Sequence, residues 1–101
     1  MINKTLGIDY DDVISGNVKA WSEIIKLFYQ FGATIYIVTY RDSSQFDDMD
    51  LKIPFVKDYI FTSANAKKKY CKDSGIDIDI WIDDCPESII FDYQELLKNM
   101  N

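Results

Sequence analysis

Short apolar runs alternate with longer amphipathic stretches along this chain. The runs carry many β-branched residues, which predicts buried strands. The four predicted strands cover residues 4–9, 33–39, 58–62 and 78–82. Strands that alternate with helices favour an α/β fold, in which helices cover both faces of a parallel sheet.

The stretch between the first two runs predicts an amphipathic helix. Asn17 suits the N-cap of this helix because its side chain can accept a bond from a free amide. Gly32 suits the end because it tolerates a left-handed backbone. The predicted apolar face consists of Val18, Trp21, Ile24, Ile25, Phe28 and Phe31.

The remaining helices are predicted from residues that favour helix ends. Ser63 suits the N-cap of a helix over residues 63–74. Pro86 lies where the first turn of a last helix begins, and residues 88–98 are predicted to complete this helix. The polar segment between the second and third strands predicts one short helix over residues 44–51.

The order of the strands follows from their connections. Right-handed crossovers, and the return of the fourth strand to the free side of the first, give the order 4-1-2-3. This describes a three-layer, Rossmann-like parallel sheet without a cap domain. The topological switch then lies between strands 1 and 4, where ligands bind at the carboxyl ends. Asp9 and the pair Asp83–Asp84 follow these strands, so we expect them to be neighbours.

Length and composition restrict the class of protein. A chain of 101 residues is expected to form one domain over residues 1–101. No apolar run approaches the roughly 18 residues of a membrane span. The N-terminus lacks a signal-peptide pattern, which predicts a cytoplasmic protein. The net charge of −6 is a poor match for duplex nucleic acid.

Histidine is absent from the sequence. This absence excludes Ser-His and Cys-His nucleophile pairs and any histidine-ligated zinc. The two cysteines, Cys71 and Cys85, cannot form a structural zinc site alone. We expect both to be small buried hydrophobic residues rather than a disulfide.

The densest group of candidate functional residues follows the first strand. Asp9 and Asp11 are two positions apart, so both carboxylates point to one side while the chain stays extended. Two carboxylates held that close repel unless a cation lies between them or one stays protonated. The spacing therefore predicts a divalent-metal site, a proton-sharing pair, or both.

Four motifs in register give the chain a resemblance to a known family. They are Asp9-Tyr-Asp11-Asp12-Val13 after the first strand, Thr39 at the end of the second, Lys67 near a helix start, and Ile82-Asp83-Asp84 at the end of the fourth. In this order they resemble the motifs of haloacid dehalogenase-like (HAD) hydrolases. The chain resembles in particular small HAD-like proteins of bacteria and their phages, which implies a bacterial or host cytoplasm.

The resemblance implies a reaction on phosphate esters. Asp9 would be the nucleophile that forms an aspartyl phosphate. Asp11 would protonate the leaving oxygen and then deprotonate the attacking water. Thr39 would donate its hydroxyl to the phosphoryl group, and Lys67 would neutralise the charge that develops there.

The same resemblance implies a bound Mg²⁺ ion. Its ligands would be a carboxylate oxygen of Asp9, the backbone carbonyl of Asp11, and Asp84. A hard cation that prefers oxygen ligands suits this set. Asp83 could either bind the metal directly or orient Lys67, and the second role is favoured.

Several of these side chains leave alternatives open. Arg41 either contacts the substrate or pairs with Asp42. Lys67 is preferred as the site lysine, but together with Lys68 and Lys69 it can also form a solvated helix face. A solvated loop is expected for the acidic residues Asp47, Asp48 and Asp50.

The expected activity is a Mg²⁺-dependent phosphatase that acts on a phosphorylated small molecule or a nucleic-acid end. No segment is long enough to form a cap over Asp9, so we expect either a homo-oligomer or a substrate that brings its own contacts. Two alternatives remain, a catalytically inactive HAD-like metal-binding module and a receiver domain of a signalling relay. The position of Lys67 before the last acidic pair disfavours the receiver domain.

Overall fold

The computed structural model describes residues 1–99. At its centre lies a parallel sheet made of β1 Thr5–Ile8, β2 Thr34–Thr39, β3 Asp58–Phe61 and β4 Ile80–Ile82. The strands lie in the order β3-β2-β1-β4, which confirms the predicted order 4-1-2-3. Each strand is one or two residues shorter than predicted.

The register of the sheet brings the candidate residues side by side. Ile8 at the end of β1 pairs with Ile82 at the end of β4. The amide of Asp9 then donates a hydrogen bond of 2.9 Å to the Ile82 carbonyl. The chain therefore leaves both strands at the same edge, and Asp9 and Asp83 follow as neighbours.

Helices cover both faces of the sheet. Helix α1, Val18–Gln30, lies on one face, and helix α2, Lys67–Asp73, lies on the other. Successive residues of a strand point to opposite faces, so β2 contributes to both cores. Buried residues of the first core include Ile25 of α1 with Leu6, Ile8, Ile35 and Ile37. Those of the second core are Cys71 of α2 with Tyr36, Val38 and Ile60.

Helix α1 has the predicted ends but a narrower buried face. Asn17 accepts a hydrogen bond of 3.0 Å from the Ala20 amide, and Gly32 ends the helix in a left-handed conformation with φ of 96°. Ile24 and Phe31, which were expected on the buried face, are 38% and 55% exposed. They lie beyond the sector of the helix that contacts the sheet.

The segment between β2 and β3 is a loop, so the helix predicted over residues 44–51 is wrong. Isolated turns form there, such as the 2.9 Å bond from the Gln45 amide to the Asp42 carbonyl. The carboxylate of Asp42 also accepts bonds of 2.9 Å from the Ser43 amide and the Ser44 hydroxyl. Such local side-chain bonds compete with the backbone bonds of a helix.

Helix α2 begins later than predicted, and the N-cap role predicted for Ser63 is wrong. Ser63 and Ala64 adopt a left-handed backbone with φ of 52° and 65°, a conformation outside the right-handed helical region. The hydroxyl of Ser63 instead donates a 3.0 Å bond to Asp42. At the start of α2 the Ala66 amide donates a 2.6 Å bond to the carboxylate of Asp92, a residue distant in sequence.

The C-terminal region forms two helices, α3 Glu87–Ile90 and α4 Tyr93–Asn99. The prediction of one continuous helix from Pro86 to Lys98 is therefore wrong. Phe91 is extended, with φ of −115° and ψ of 146°, and interrupts the helix. Its carbonyl accepts a hydrogen bond from the Tyr40 hydroxyl. This contact with the loop after β2 replaces a bond that a continuous helix would have made.

Two of the connections at the carboxyl edge of the sheet are short, those that follow β1 and β3. Residues 9–17, which include a 3₁₀ turn at Ile14–Gly16, separate β1 from α1. Residues 62–66 separate β3 from α2. Neither connection contains an inserted cap domain in the described chain. Across residues 1–99, none of the helices has both the length and the apolar character needed to cross a bilayer.

Candidate functional site

Lys67 forms ion pairs with two aspartates from neighbouring strands at the carboxyl edge of the sheet. Its Nζ lies 3.0 Å from Oδ1 of Asp9 and 2.6 Å from Oδ2 of Asp83. The side chain of Lys67 is only 2% exposed, and that of Asp83 only 1%. A lysine buried to this degree needs such partners, because an unpaired buried charge is strongly unfavourable.

Lys67 reaches the aspartates because it is the first residue of α2. This helix follows β3, so it starts at the edge of the sheet where Asp9 lies. Side chains of a helix lean toward its N-terminus, which directs the ammonium group back to that edge. Lys68 and Lys69 are exposed. Of the three consecutive lysines, Lys67 is thus the one that enters the site.

Asp83 is held by hydrogen bonds on both carboxylate oxygens. Its Oδ1 accepts a 2.9 Å bond from the Cys85 amide, and its Oδ2 accepts a 3.2 Å bond from the Ser88 hydroxyl. Ser88 is buried and also lies 2.7 Å from the Cys85 carbonyl. These bonds fix the carboxylate that in turn fixes the Lys67 ammonium group.

Asp84 completes a cluster of three carboxylates. One oxygen each from Asp9, Asp83 and Asp84 lies within 4.8 Å of the others. Burial raises the pKa of Asp9 to about 7, although Lys67 opposes the shift, and a hydrogen bond with Asp84 adds to it. Three carboxylates around one ammonium group leave an excess of negative charge. An oxygen-only cluster with this excess fits a hard divalent cation such as Mg²⁺.

The cluster borders a cavity of about 190 Å³. The ring of Tyr40 forms part of its wall, with the ring centroid 5.6 Å from Nζ of Lys67. Burial, with smaller contributions from Cys85 and nearby carboxylates, raises the pKa of Tyr40 to about 12, so Tyr40 stays a neutral phenol at neutral pH. The cavity is further lined by Asp11, Asp12, Cys85 and Ser88.

The two cysteines have different environments. Cys71 is buried in the core under α2, as expected, but Cys85 is exposed. The prediction that both are buried is therefore wrong. Cys85 lies in the turn between β4 and α3, where its side chain faces the rim of the cavity instead of a core.

The carboxylate of Asp11 does not belong to the cluster that contains Asp9, so the pair of Asp9 and Asp11 predicted from their spacing does not form. The strand ends before Asp9 and the chain then turns, so the expected alternation of an extended chain does not apply. Asp11 instead forms a bidentate pair with Arg41, at 3.0 Å from Nε and 2.6 Å from Nη2. Arg41 also forms an ion pair with the carboxylate of Asp48. The alternative pairing of Arg41 with Asp42 is therefore wrong.

Thr39 lies behind the cavity. It ends β2, is 1% exposed, and is not among the residues that line the cavity. Its Oγ1 accepts a 3.2 Å bond from the Arg41 amide, which leaves the hydroxyl proton able to donate. Donation to a phosphoryl group stays a prediction.

Three side chains of this region are not indicated by the sequence motifs. Tyr40 directly follows the end of β2, and this position could have identified it as a residue of the site. Ser88 lies in the first turn after Pro86, from which its hydroxyl reaches Asp83. Nothing in the local sequence marks Asp48, which reaches Arg41 because the loop after β2 folds back on itself.

Comparison of the chain with protein-family models, with curated proteins and with solved structures returns no match.

Proposed function

We propose that this protein is a Mg²⁺-dependent phosphomonoester hydrolase with a Rossmann-like, HAD-like fold, and that Asp9 is its nucleophile. The observation that carries the proposal is the position of Asp9. Its carboxylate is buried at the end of the central strand β1, contacts the Lys67 ammonium group at 3.0 Å, and lies beside Asp84. A nucleophile that attacks an anionic phosphoryl group needs such a cation close by.

The residues around the cavity account for both halves of the reaction. Asp11 enters the first half as a protonated carboxyl group, in which both oxygens keep lone pairs that can accept from Arg41. An oxygen of Asp9 attacks phosphorus, and the bond from phosphorus to the leaving oxygen breaks as Asp11 gives that oxygen its proton. Water then attacks the aspartyl phosphate and gives a proton to Asp11, and the bond between Asp9 and phosphorus breaks. Lys67 stabilises the negative charge on the phosphoryl oxygens in both steps.

Asp9 and Asp84 would hold the Mg²⁺ ion, together with the backbone carbonyl of Asp11. Bound there, the ion would polarise the phosphoryl group and neutralise its charge. Asp83 is committed to Lys67, Ser88 and the Cys85 amide. We therefore assign to Asp83 the orientation of Lys67 and not direct binding of the ion.

The size of the cavity bears on the class of substrate. Its volume of about 190 Å³ is below the roughly 300–1,000 Å³ of typical ligand pockets. It therefore suits a phosphoryl group and little else. The rest of the substrate must find its contacts outside this cavity, as a nucleotide or the phosphorylated end of a nucleic acid can.

Release of inorganic phosphate, measured with Mg²⁺ and with a chelator, tests the proposal. Asp9→Asn is nearly isosteric and is expected to abolish release while the protein stays folded. Asp11→Asn should reduce the rate by about 10²–10⁴-fold, the usual contribution of general acid–base catalysis. Turnover by Asp9→Asn at the wild-type rate would disprove the assigned nucleophile.

A second function, a metal-binding module without activity, is compatible with the same carboxylate cluster. Calorimetric titration with Mg²⁺ separates the two functions. Binding of Mg²⁺ without phosphate release from any ester in a broad panel would favour the binding module. Binding together with release that Asp9→Asn abolishes would favour the hydrolase.

A further inference from the structure

Arg41 lies between two carboxylates at the rim of the cavity. Its Nε and Nη2 bind the two oxygens of Asp11 at 3.0 and 2.6 Å. Its Nη1 donates to Asp48 and, at 2.9 Å, to the carbonyl of Gln45, while Nη2 also approaches Asp48 at 3.3 Å. Only a fifth of the Arg41 side chain is exposed.

These contacts use every donor that a guanidinium group has. Arginine carries five N–H donors, and the five bonds to Asp11, Gln45 and Asp48 occupy all of them. Arg41 therefore has no donor left for a phosphoryl oxygen unless one of these bonds breaks. This distinguishes it from Lys67, whose ammonium group faces the cavity.

We propose that Arg41 and Asp48 are positioning residues that act through Asp11. Asp48 and the Gln45 carbonyl hold the guanidinium plane, and the guanidinium plane holds the Asp11 carboxylate at the rim of the cavity. The inference rests on the proposed function, since it assigns these residues to the proton transfers of Asp11. It also gives the loop after β2 a role in catalysis.

The bidentate geometry is what makes this assignment specific. An isolated exposed ion pair contributes little, and the Asp48 side chain is 76% exposed. Two parallel bonds, however, fix the plane and the direction of a carboxylate. A displacement of about 1 Å in a catalytic group can lower a rate by a factor of the order of 10².

Two substrates with different leaving groups test whether Arg41 and Asp48 position Asp11. An alkoxide leaving group needs a proton in the first step, whereas p-nitrophenolate leaves without one. The value of kcat/KM reports only the steps up to formation of the aspartyl phosphate. We therefore compare kcat/KM for an alkyl phosphate with kcat/KM for p-nitrophenyl phosphate.

We expect Arg41→Ala to lower kcat/KM for the alkyl phosphate by about tenfold or more, a part of the 10²–10⁴-fold effect of a general acid. The loss for p-nitrophenyl phosphate should be much smaller. Asp48→Ala should show the same selectivity with a smaller loss. Asp48→Asn keeps an acceptor oxygen and should restore most of the rate. Asp47→Ala removes the adjacent exposed carboxylate and is the matched control.

Three results would overturn the inference. Equal losses for both substrates would show a structural role without positioning of the acid. A rise in KM for Arg41→Ala with unchanged kcat would show that Arg41 contacts the substrate. A wild-type protein that releases phosphate from neither ester, nor from any nucleotide or phosphorylated nucleic-acid end in a broad panel, would refute the proposed function, and the positioning role would fail with it.

Discussion

Two features of its environment shift the pKa of Asp9 in opposite directions. It is buried, which disfavours its charged form, and it contacts Lys67, which favours that form. The nearby carboxylates of Asp83 and Asp84 add negative charge around the single ammonium group. Burial prevails, and the pKa of Asp9 rises from 3.8 to about 7. Without a metal ion, Asp9 is thus protonated in a large part of the folded molecules at neutral pH.

The raised pKa predicts how stability changes with pH in metal-free solution. Between pH 3.8 and 7 the folded state holds a proton on Asp9 that the unfolded state lacks. The contribution of Asp9 to stability is therefore fully present below about pH 3.8 and is lost as the pH rises through about 7. Thermal unfolding in a chelator, recorded from pH 4 to pH 8, measures this change.

Asp9→Asn is the matched control for this prediction, because the amide does not titrate. The melting temperature of the wild type relative to that of Asp9→Asn should fall as the pH rises. A constant difference across this range would contradict the raised pKa of Asp9. Contributions from carboxylates that do not interact with Asp9 cancel in the comparison.

The carboxylate cluster should also make the stability of the protein depend on Mg²⁺. Mg²⁺ should raise the melting temperature, because a cation relieves the repulsion among the clustered carboxylates. An ion present at 100 times its dissociation constant adds about 2.7 kcal/mol to the free energy of unfolding. Asp84→Ala should remove most of the shift and Asp83→Ala should reduce it less. A shift of the same size in wild type and Asp84→Ala would refute Asp84 as a ligand.

The main residues of the site are predictable for a physical reason. Asp9, Asp83 and Asp84 directly follow strands, and parallel strands deliver whatever follows them to one edge. Although the helix start predicted at Ser63 is wrong, Lys67 is predictable from the motif that has a lysine near a helix start. Asp48 is not, because its contact with Arg41 depends on the path of a loop that no periodic pattern encodes.

At the scale of elements, the short helix α2 depends on contacts with distant segments. Its N-terminal amide at Ala66 donates to Asp92, and its first residue, Lys67, binds Asp9 and Asp83. A helix of seven residues is too short to be stable alone. These tertiary contacts therefore position it.

Removal of the Lys67 charge is expected to destabilise the fold. Lys67→Met keeps the aliphatic chain but leaves two buried carboxylates without a cation, which should lower the free energy of unfolding by about 3 kcal/mol. Lys68 is the exposed neighbour and provides a control. Lys68→Met should change the free energy of unfolding by less than about 0.5 kcal/mol. Urea unfolding of both variants measures the difference. Similar losses in the two would contradict the buried ion pairs.

The elements themselves are predictable to different degrees. The alternation of apolar runs and helical stretches gives the four strands and their order, because burial of both sheet faces permits few arrangements. Helix ends depend on individual hydrogen bonds that propensity does not register. The hydroxyl of Ser63 donates to Asp42 where the chain turns left-handed before α2, and the carbonyl of Phe91 accepts from the Tyr40 hydroxyl. Both bonds join segments that are distant in sequence, which explains why sequence patterns misplace these ends.

At the scale of the whole molecule, the site has little cover of its own. The connections of residues 9–17 and 62–66 are too short to contain a cap, and the cavity holds about 190 Å³. Enzymes of small metabolites gain rate and selectivity from contacts with the non-reacting part of the substrate. In the described chain few such contacts are available above Asp9. Either a second copy of the chain or a large substrate must supply them.

We expect one of two outcomes in solution. The protein forms a homo-oligomer, or it prefers phosphorylated macromolecular ends to small phosphate esters. The preference should reach at least about tenfold in kcat/KM, which corresponds to roughly 1.4 kcal/mol of additional contacts in the transition state. Light scattering gives the molecular mass, and a panel of 5′- and 3′-phosphorylated oligonucleotides, mononucleotides and sugar phosphates gives the preference. A strict monomer with high selectivity for one small metabolite would contradict the prediction, because the short connections around Asp9 contain no segment that could enclose such a molecule.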